Sequence, residues 1–98
     1  MEIIKNIFEG TLSLALIGRL DTNTAPALEA VIQNETDGIS ELIFDFAELE
    51  YISSAGLRIL LTAQKKMNRQ GSMKVKNVNE CVMEIFEITA FTDILTIE

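Results

Sequence analysis

The stretch from Glu41 to Gln70 constrains this chain more than any other. Leu42, Ile43, Phe44 and Phe46 form a short, nearly continuous apolar run, the pattern of a strand covered on both faces. Two adjacent serines, Ser53 and Ser54, follow Tyr51-Ile52, and then Leu57, Leu60, Leu61 and Met67 recur at helical spacing. A strand therefore feeds a helix, over about Ala55–Gln70, through a polar corner. Met73–Val78 has the makings of another strand beyond that helix. Connections as long as 20–41 and 53–72 are what parallel pairing with right-handed crossovers requires.

The same alternation of strand and helix extends along the chain. Residues 2–8 and 11–17 are apolar-rich and flank Glu9-Gly10, which fits a hairpin turn. Leu12, Leu14 and Leu16 alternate with Ser13, Ala15 and Ile17, so one face of that strand is buried. Gly18-Arg19-Leu20-Asp21 is expected to leave the strand. Leu28, Val31 and Ile32 share one face of a helix from about Thr24 to Gln33, with Asn23 or Thr24 as its cap and Pro26 in its first turn. Asn34–Ser40 reads as a polar linker. Gly71 stands where a left-handed residue commonly ends a helix, and Lys65, Lys66 and Arg69 complement the dipole of the helix before it. Asn79 caps a third helix with Val82, Ile85 and Phe86 inward, and Ile94–Ile97 adds a short strand or packs.

The expected fold class is α/β: one domain over residues 1–98, a mixed sheet of four to five strands with helices packed on it, in the order β-β-α-β-α-β-α. The expected core is Leu14, Leu16, Leu28, Ile32, Ile43, Phe44, Leu57, Leu60, Leu61, Val75, Ile85 and Phe86. With 98 residues and 48% apolar content, the chain has enough material for a single core of this kind.

Charge and cysteine content narrow the function. Fifteen acidic against 8 basic residues give a net charge of −7, the wrong sign for neutralising nucleic-acid phosphates or docking on an anionic membrane. Cys81 is the only cysteine, which suits a reducing compartment, and its neighbours Val82 and Met83 suggest a small core residue. The first ten residues lack the pattern of a signal peptide, and no run approaches the ~20 apolar residues of a membrane span. The expectation is a soluble, cytoplasmic protein.

The chemistry of an enzyme is hard to assemble here. Without histidine there is no Ser-His pair and no histidine metal ligand, so neither a metal nor a cofactor is expected. Ser53-Ser54-Ala55-Gly56 is not a G-x-S-x-G elbow, because Ile52 holds the first glycine's place. Lys65 and Lys66 do not follow Ser54 at S-x-x-K spacing, and there is no phosphate-binding loop around the isolated Gly56. Asp21 and Asp45 could pair if the strand ends converge. The polar corner itself reads as a helix cap, Ser53 or Ser54 accepting a backbone amide, or as a modification site at a helix mouth that favours anions.

Residues 43–61, Ile43-Phe44-Asp45-Phe46 through Tyr51-Ile52-Ser53-Ser54-Ala55-Gly56-Leu57-Arg58 to Leu61, resemble the signature of the STAS domain family, specifically the bacterial anti-sigma factor antagonists. Gly18-Arg19-Leu20-Asp21 followed by Thr24-Ala25-Pro26 is similar to that family's first loop and first helix. The resemblance implies a small α/β regulator that binds a serine kinase/anti-sigma factor and is released when one serine is phosphorylated, with a phosphatase to reverse the switch. Ser54 falls on the family's phosphorylated serine, with Ser53 as the alternative. Ser53 stands in place of the family's aspartate, Ala55 in place of a second hydroxyl residue, and Arg58 where many members have glycine. The partner-binding residues implied are Asp21, Ser53, Ser54, Gly56 and Arg58, with Gly56 leaving room for a kinase or phosphate and Arg58 held in a solvated ion pair or set on the phosphate. Two further roles stay open: a subunit of a membrane-lipid transport complex, and a nucleotide-binding regulatory module.

Overall fold

The computed structural model describes residues Met1–Glu98. Strand β1 (Glu2–Phe8) turns through Glu9-Gly10 into β2 (Thr11–Leu20), and helix α1 (Ala25–Glu35) leads to β3 (Glu41–Ile52). Helix α2 (Ser54–Gln70), β4 (Ser72–Lys76), α3 (Glu80–Ile88) and a single 3₁₀ turn (Phe91–Asp93) complete the chain. The four strands lie in the order β1-β2-β3-β4, antiparallel between β1 and β2 and parallel thereafter. The class, the element order and the mixed sheet are those expected from the sequence. The tail makes one parallel bridge, Ile97 to Val75, rather than a fifth strand.

Successive crossovers through α1 and α2 step the same way across the sheet, so right-handed connections put both helices on one face. The buried rows run straight across it: Leu12, Leu42 and Met73 are in register, as are Leu14, Phe44 and Val75. Leu28 and Ile32 of α1, Leu57, Leu60 and Met67 of α2, and Val82 and Phe86 of α3 join these rows in one cluster of 23 buried residues. The Phe46 ring lies 6.5 Å from that of Phe86, tying the third helix to the far half of β3. No helix is long and apolar enough to cross a membrane.

Several expectations need correction. β3 is not covered on both faces; its side chains alternate, and Ile43 is only half-buried because no element lies over that side. It also runs on to Ile52, adding Phe46, Leu49 and Ile52 to the core. Likewise β2 continues through Gly18 to Leu20, taking up a change of register on each side of Gly18, whose φ is +105°. α1 extends to Glu35, and the supposed linker beyond it buries Thr36 and Ile39. Leu61 and Ile85 flank the buried stripes of their helices and remain half-exposed. Cys81 is exposed, because α3 turns Val82 and Phe86 inward and a helix rotates the preceding residue about 100° away. Gly71 is extended, with φ 173°, not left-handed.

Candidate functional site

The corner between β3 and α2 gives its two serines different work. Ser53 has an extended backbone, and its hydroxyl accepts the Gly56 N–H at 3.4 Å, which makes it the N-cap of α2. Its own N–H donates to the Leu20 carbonyl at 2.9 Å, so the end of β2 is fastened beside the mouth of the helix. Ser54 is the first helical residue; its side chain is exposed and takes no part in the cap. Sequence left the capping serine open, and the hydrogen bond assigns it to Ser53.

Fastening Leu20 to Ser53 brings the loop after β2 to the same rim. Asp21 Oδ1 accepts the N–H groups of Asn23 at 3.0 Å and Thr24 at 3.2 Å. Thr24 Oγ accepts the Asp21 N–H at 2.9 Å and donates to the Arg19 carbonyl at 2.8 Å. Thr24 holds the N-cap position of α1 without capping a helix amide, since its hydroxyl is spent on this loop. Asp21 therefore shapes the loop while leaving 29% of its side chain accessible.

Two residues at this rim had no role assigned from sequence. Arg19 and Tyr51 face each other across the parallel β2–β3 pair, and the guanidinium carbon of Arg19 sits 4.5 Å from the centre of the Tyr51 ring. Arg19 Nε also lies 3.9 Å from Asp21 Oδ2. Only the strand register, with its shifts around Gly18, brings these groups together; the spacing of 19 and 51 along the chain carries no such signal.

Gly56 does not open toward a partner. It is buried, and a Cβ there would stand 2.7 Å from Leu20 Cγ and 2.8 Å from Ile52 Cγ1. Its bare Cα is what lets α2 lie against the ends of β2 and β3. Arg58, one turn past Ser54, is exposed and forms no ion pair within the chain, so the expected intramolecular pairing is absent.

Asp45 takes no part in a pair with Asp21. It is in register with Ala15, which puts it roughly 20 Å down the strand from Asp21. Its carboxylate accepts the Asn77 amide and the Ala47 N–H, each at 3.0 Å, and these bonds, Asn77 foremost, hold its pKa below the usual aspartate value. A carboxylate lowered in this way adds stability above its unfolded pKa, a contribution lost as pH falls through the folded value. No group of three or more His, Cys, Asp or Glu side chains converges to hold a metal.

The family profile for the STAS domain matches residues 2–98. The chain belongs to the STAS domain family. Among its relatives, BtrV of Bordetella bronchiseptica, which its name gives as a candidate anti-sigma factor antagonist, is 32% identical over 99 residues, covering 99% of this chain and 85% of BtrV. The anti-sigma-B factor antagonist of Bacillus subtilis is 27% identical over 90 residues, covering 91% of this chain and 83% of its own length. The fold is shared with the Bacillus anti-sigma factor antagonist SpoIIAA, solved unphosphorylated and phosphorylated, with TM-scores of 0.79 and 0.78 at 16% identity. Those matches span 99% of this STAS domain and 87% and 91% of the SpoIIAA chains.

Proposed function

We propose that this STAS-domain protein is a cytoplasmic anti-sigma factor antagonist, working by binding rather than catalysis. Through the rim formed by Asp21, Ser53, Ser54 and Arg58 it binds a serine kinase/anti-sigma factor, and phosphorylation of Ser54 releases it, with a phosphatase restoring the free hydroxyl. The observation that carries this reading is the division between the serines. Ser53 is half-buried and capping the helix, whereas Ser54 offers an exposed hydroxyl at the helix mouth. The relatives' names and the STAS family supply the class of partner.

The chemistry of release is local. A phosphoryl group adds roughly −1.5 to −2 charge units and three acceptor oxygens where a small neutral hydroxyl had fitted. The first amides of a helix favour an anion, so the free protein tolerates the group without refolding. At a closed interface the same dianion must lose water or face the partner's own charges, and each 1.4 kcal/mol or so of that cost weakens binding tenfold. Gly56 contributes by letting the helix seat, not by touching the partner.

The test is incubation with the cognate kinase and ATP, followed by phosphosite mapping and affinity measurement for each variant. Ser54→Ala should bind and refuse phosphate, and Ser53→Ala should still accept it. Phosphate retained in Ser54→Ala but lost in Ser53→Ala would shift the switch by one residue; no transfer to either serine, with binding intact, would reduce the protein to a constitutive binding module.

A further inference from the structure

The chain has 8 basic residues against 15 acidic ones, so every cation could have an acidic neighbour. Four do: Lys5 pairs with Glu35, Arg19 with Asp21, Lys66 with Asp37, and Lys74 with Glu41 and Glu98. The four that do not are Arg58, Lys65, Arg69 and Lys76. Three of these unpaired cations lie on α2, all exposed, and with Thr62 they fall at successive steps of four, three and four residues, which is one outward stripe. Lys65, Lys66, Arg69 and Thr62 line a shallow depression along it. The stripe is about 16 Å long and begins one turn from Ser54.

The stability of the helix does not account for this arrangement. Lys65 and Arg69 suit the C-terminal half, but they repel each other at a spacing of four. Arg58 sits in the first turns, where the dipole disfavours a cation, and that end carries no acidic residue to offset it. We propose that the outward face of α2 is a docking surface for an acidic segment of the protein partner, continuous with the Ser54 corner. A protein surface fits better than the other anionic candidates. Apart from the half-exposed Leu61, the large apolar residues of α2 are turned into the core, leaving little to enter a lipid headgroup layer, and a net charge of −7 opposes a long run of nucleic-acid phosphates. Paired charges of this kind act chiefly on the rate and selectivity of association, and they weaken with salt.

The proposal builds on partner binding at the Ser54 corner, and its test separates the two. The full chain carrying Ser54→Ala is titrated with a short poly-glutamate peptide at low ionic strength, following backbone amides by NMR. Amide shifts concentrated between Arg58 and Arg69 are expected. Lys65→Glu should weaken binding by about tenfold or more, whereas Lys76→Glu, which makes the same change in net charge off the stripe, should leave it intact. Equal weakening by both substitutions would mean bulk charge and overturn the proposal, as would shifts located elsewhere or none at all. Binding of phosphatidylserine vesicles or duplex DNA through these residues, in preference to the peptide, would overturn it too. Failure of Ser54 to accept phosphate, with the peptide result intact, would remove the switch and leave the docking face standing.

Discussion

Helix α2 has a glycine packed against neighbouring structure near each of its ends, Gly56 and Gly71, yet the two corners around them are built differently. At the C-terminal end, a Cβ on Gly71 would lie 1.8 Å from the Ser40 carbonyl oxygen. The same carbonyl accepts the Ser72 N–H at 3.0 Å, and the Ser40 N–H reaches the Gly10 carbonyl at 2.8 Å. The Gln70 side chain adds bonds of 2.7 Å to the carbonyls of both Thr36 and Ile39. Backbone meets backbone there, and main-chain hydrogen bonds join the starts of β2, β3 and β4. At the N-terminal end, Gly56 presses on the side chains of Leu20 and Ile52, Ser53 spends its hydroxyl on the cap, and Ser54 remains unspent. The contrast separates residues that hold the helix from an exposed hydroxyl beside them that takes no part in the cap.

The largest expected effect tests the locked end. Gly71→Ala should cost about 3 kcal/mol or more, because its Cβ meets a carbonyl that is itself hydrogen-bonded and cannot retreat. Urea unfolding with a fixed m-value would read this directly, and a loss under about 1 kcal/mol would mean that the corner is far more compliant than its packing. Gly56→Ala should cost less, about 1–2 kcal/mol net: crowding of Leu20 and Ile52 is partly offset by the better helix propensity of alanine. A gain in stability there would show that those side chains give way and that Gly56 is not a packing device. Next comes Ser53→Ala, which removes the cap and should lower stability by about 1 kcal/mol in the same unfolding experiment. Ser54→Ala should be the smallest, within about 0.5 kcal/mol of the parent by thermal unfolding. Should Ser53 and Ser54 prove equal in this comparison, the division of labour between them would fail, and with it the main support for Ser54 as the acceptor.

Local chemistry made the elements legible. The 3.6-residue recurrence of Leu57, Leu60 and Met67, the asparagine ahead of α3 and the alternation in β2 each depend on neighbours a few residues apart, and the matching elements are present. Errors arose where distant segments decide. Ile43 looked as buried as Phe44 because an apolar run cannot say that both long crossovers leave one side of the sheet uncovered. Cys81 looked like core because a helix's inward direction is fixed by its docking, here of Val82 and Phe86, and not by the apolar residues next to it.

For the site, residue order named some of the side chains that meet at the corner, but not Arg19 or Tyr51. It placed two serines at the start of a helix, an aspartate after the second strand, and a signature shared with the STAS family. Which contacts each of them makes follows only from the fold. Register between β2 and β3 set Arg19 over Tyr51, the Leu20 carbonyl fastened the Ser53 backbone beside the end of β2, and Gly56 packs inward against Leu20 and Ile52. Residue type limits the hydrogen bonds and contacts a position can make; which of them are made depends on what the fold brings within about 3 Å.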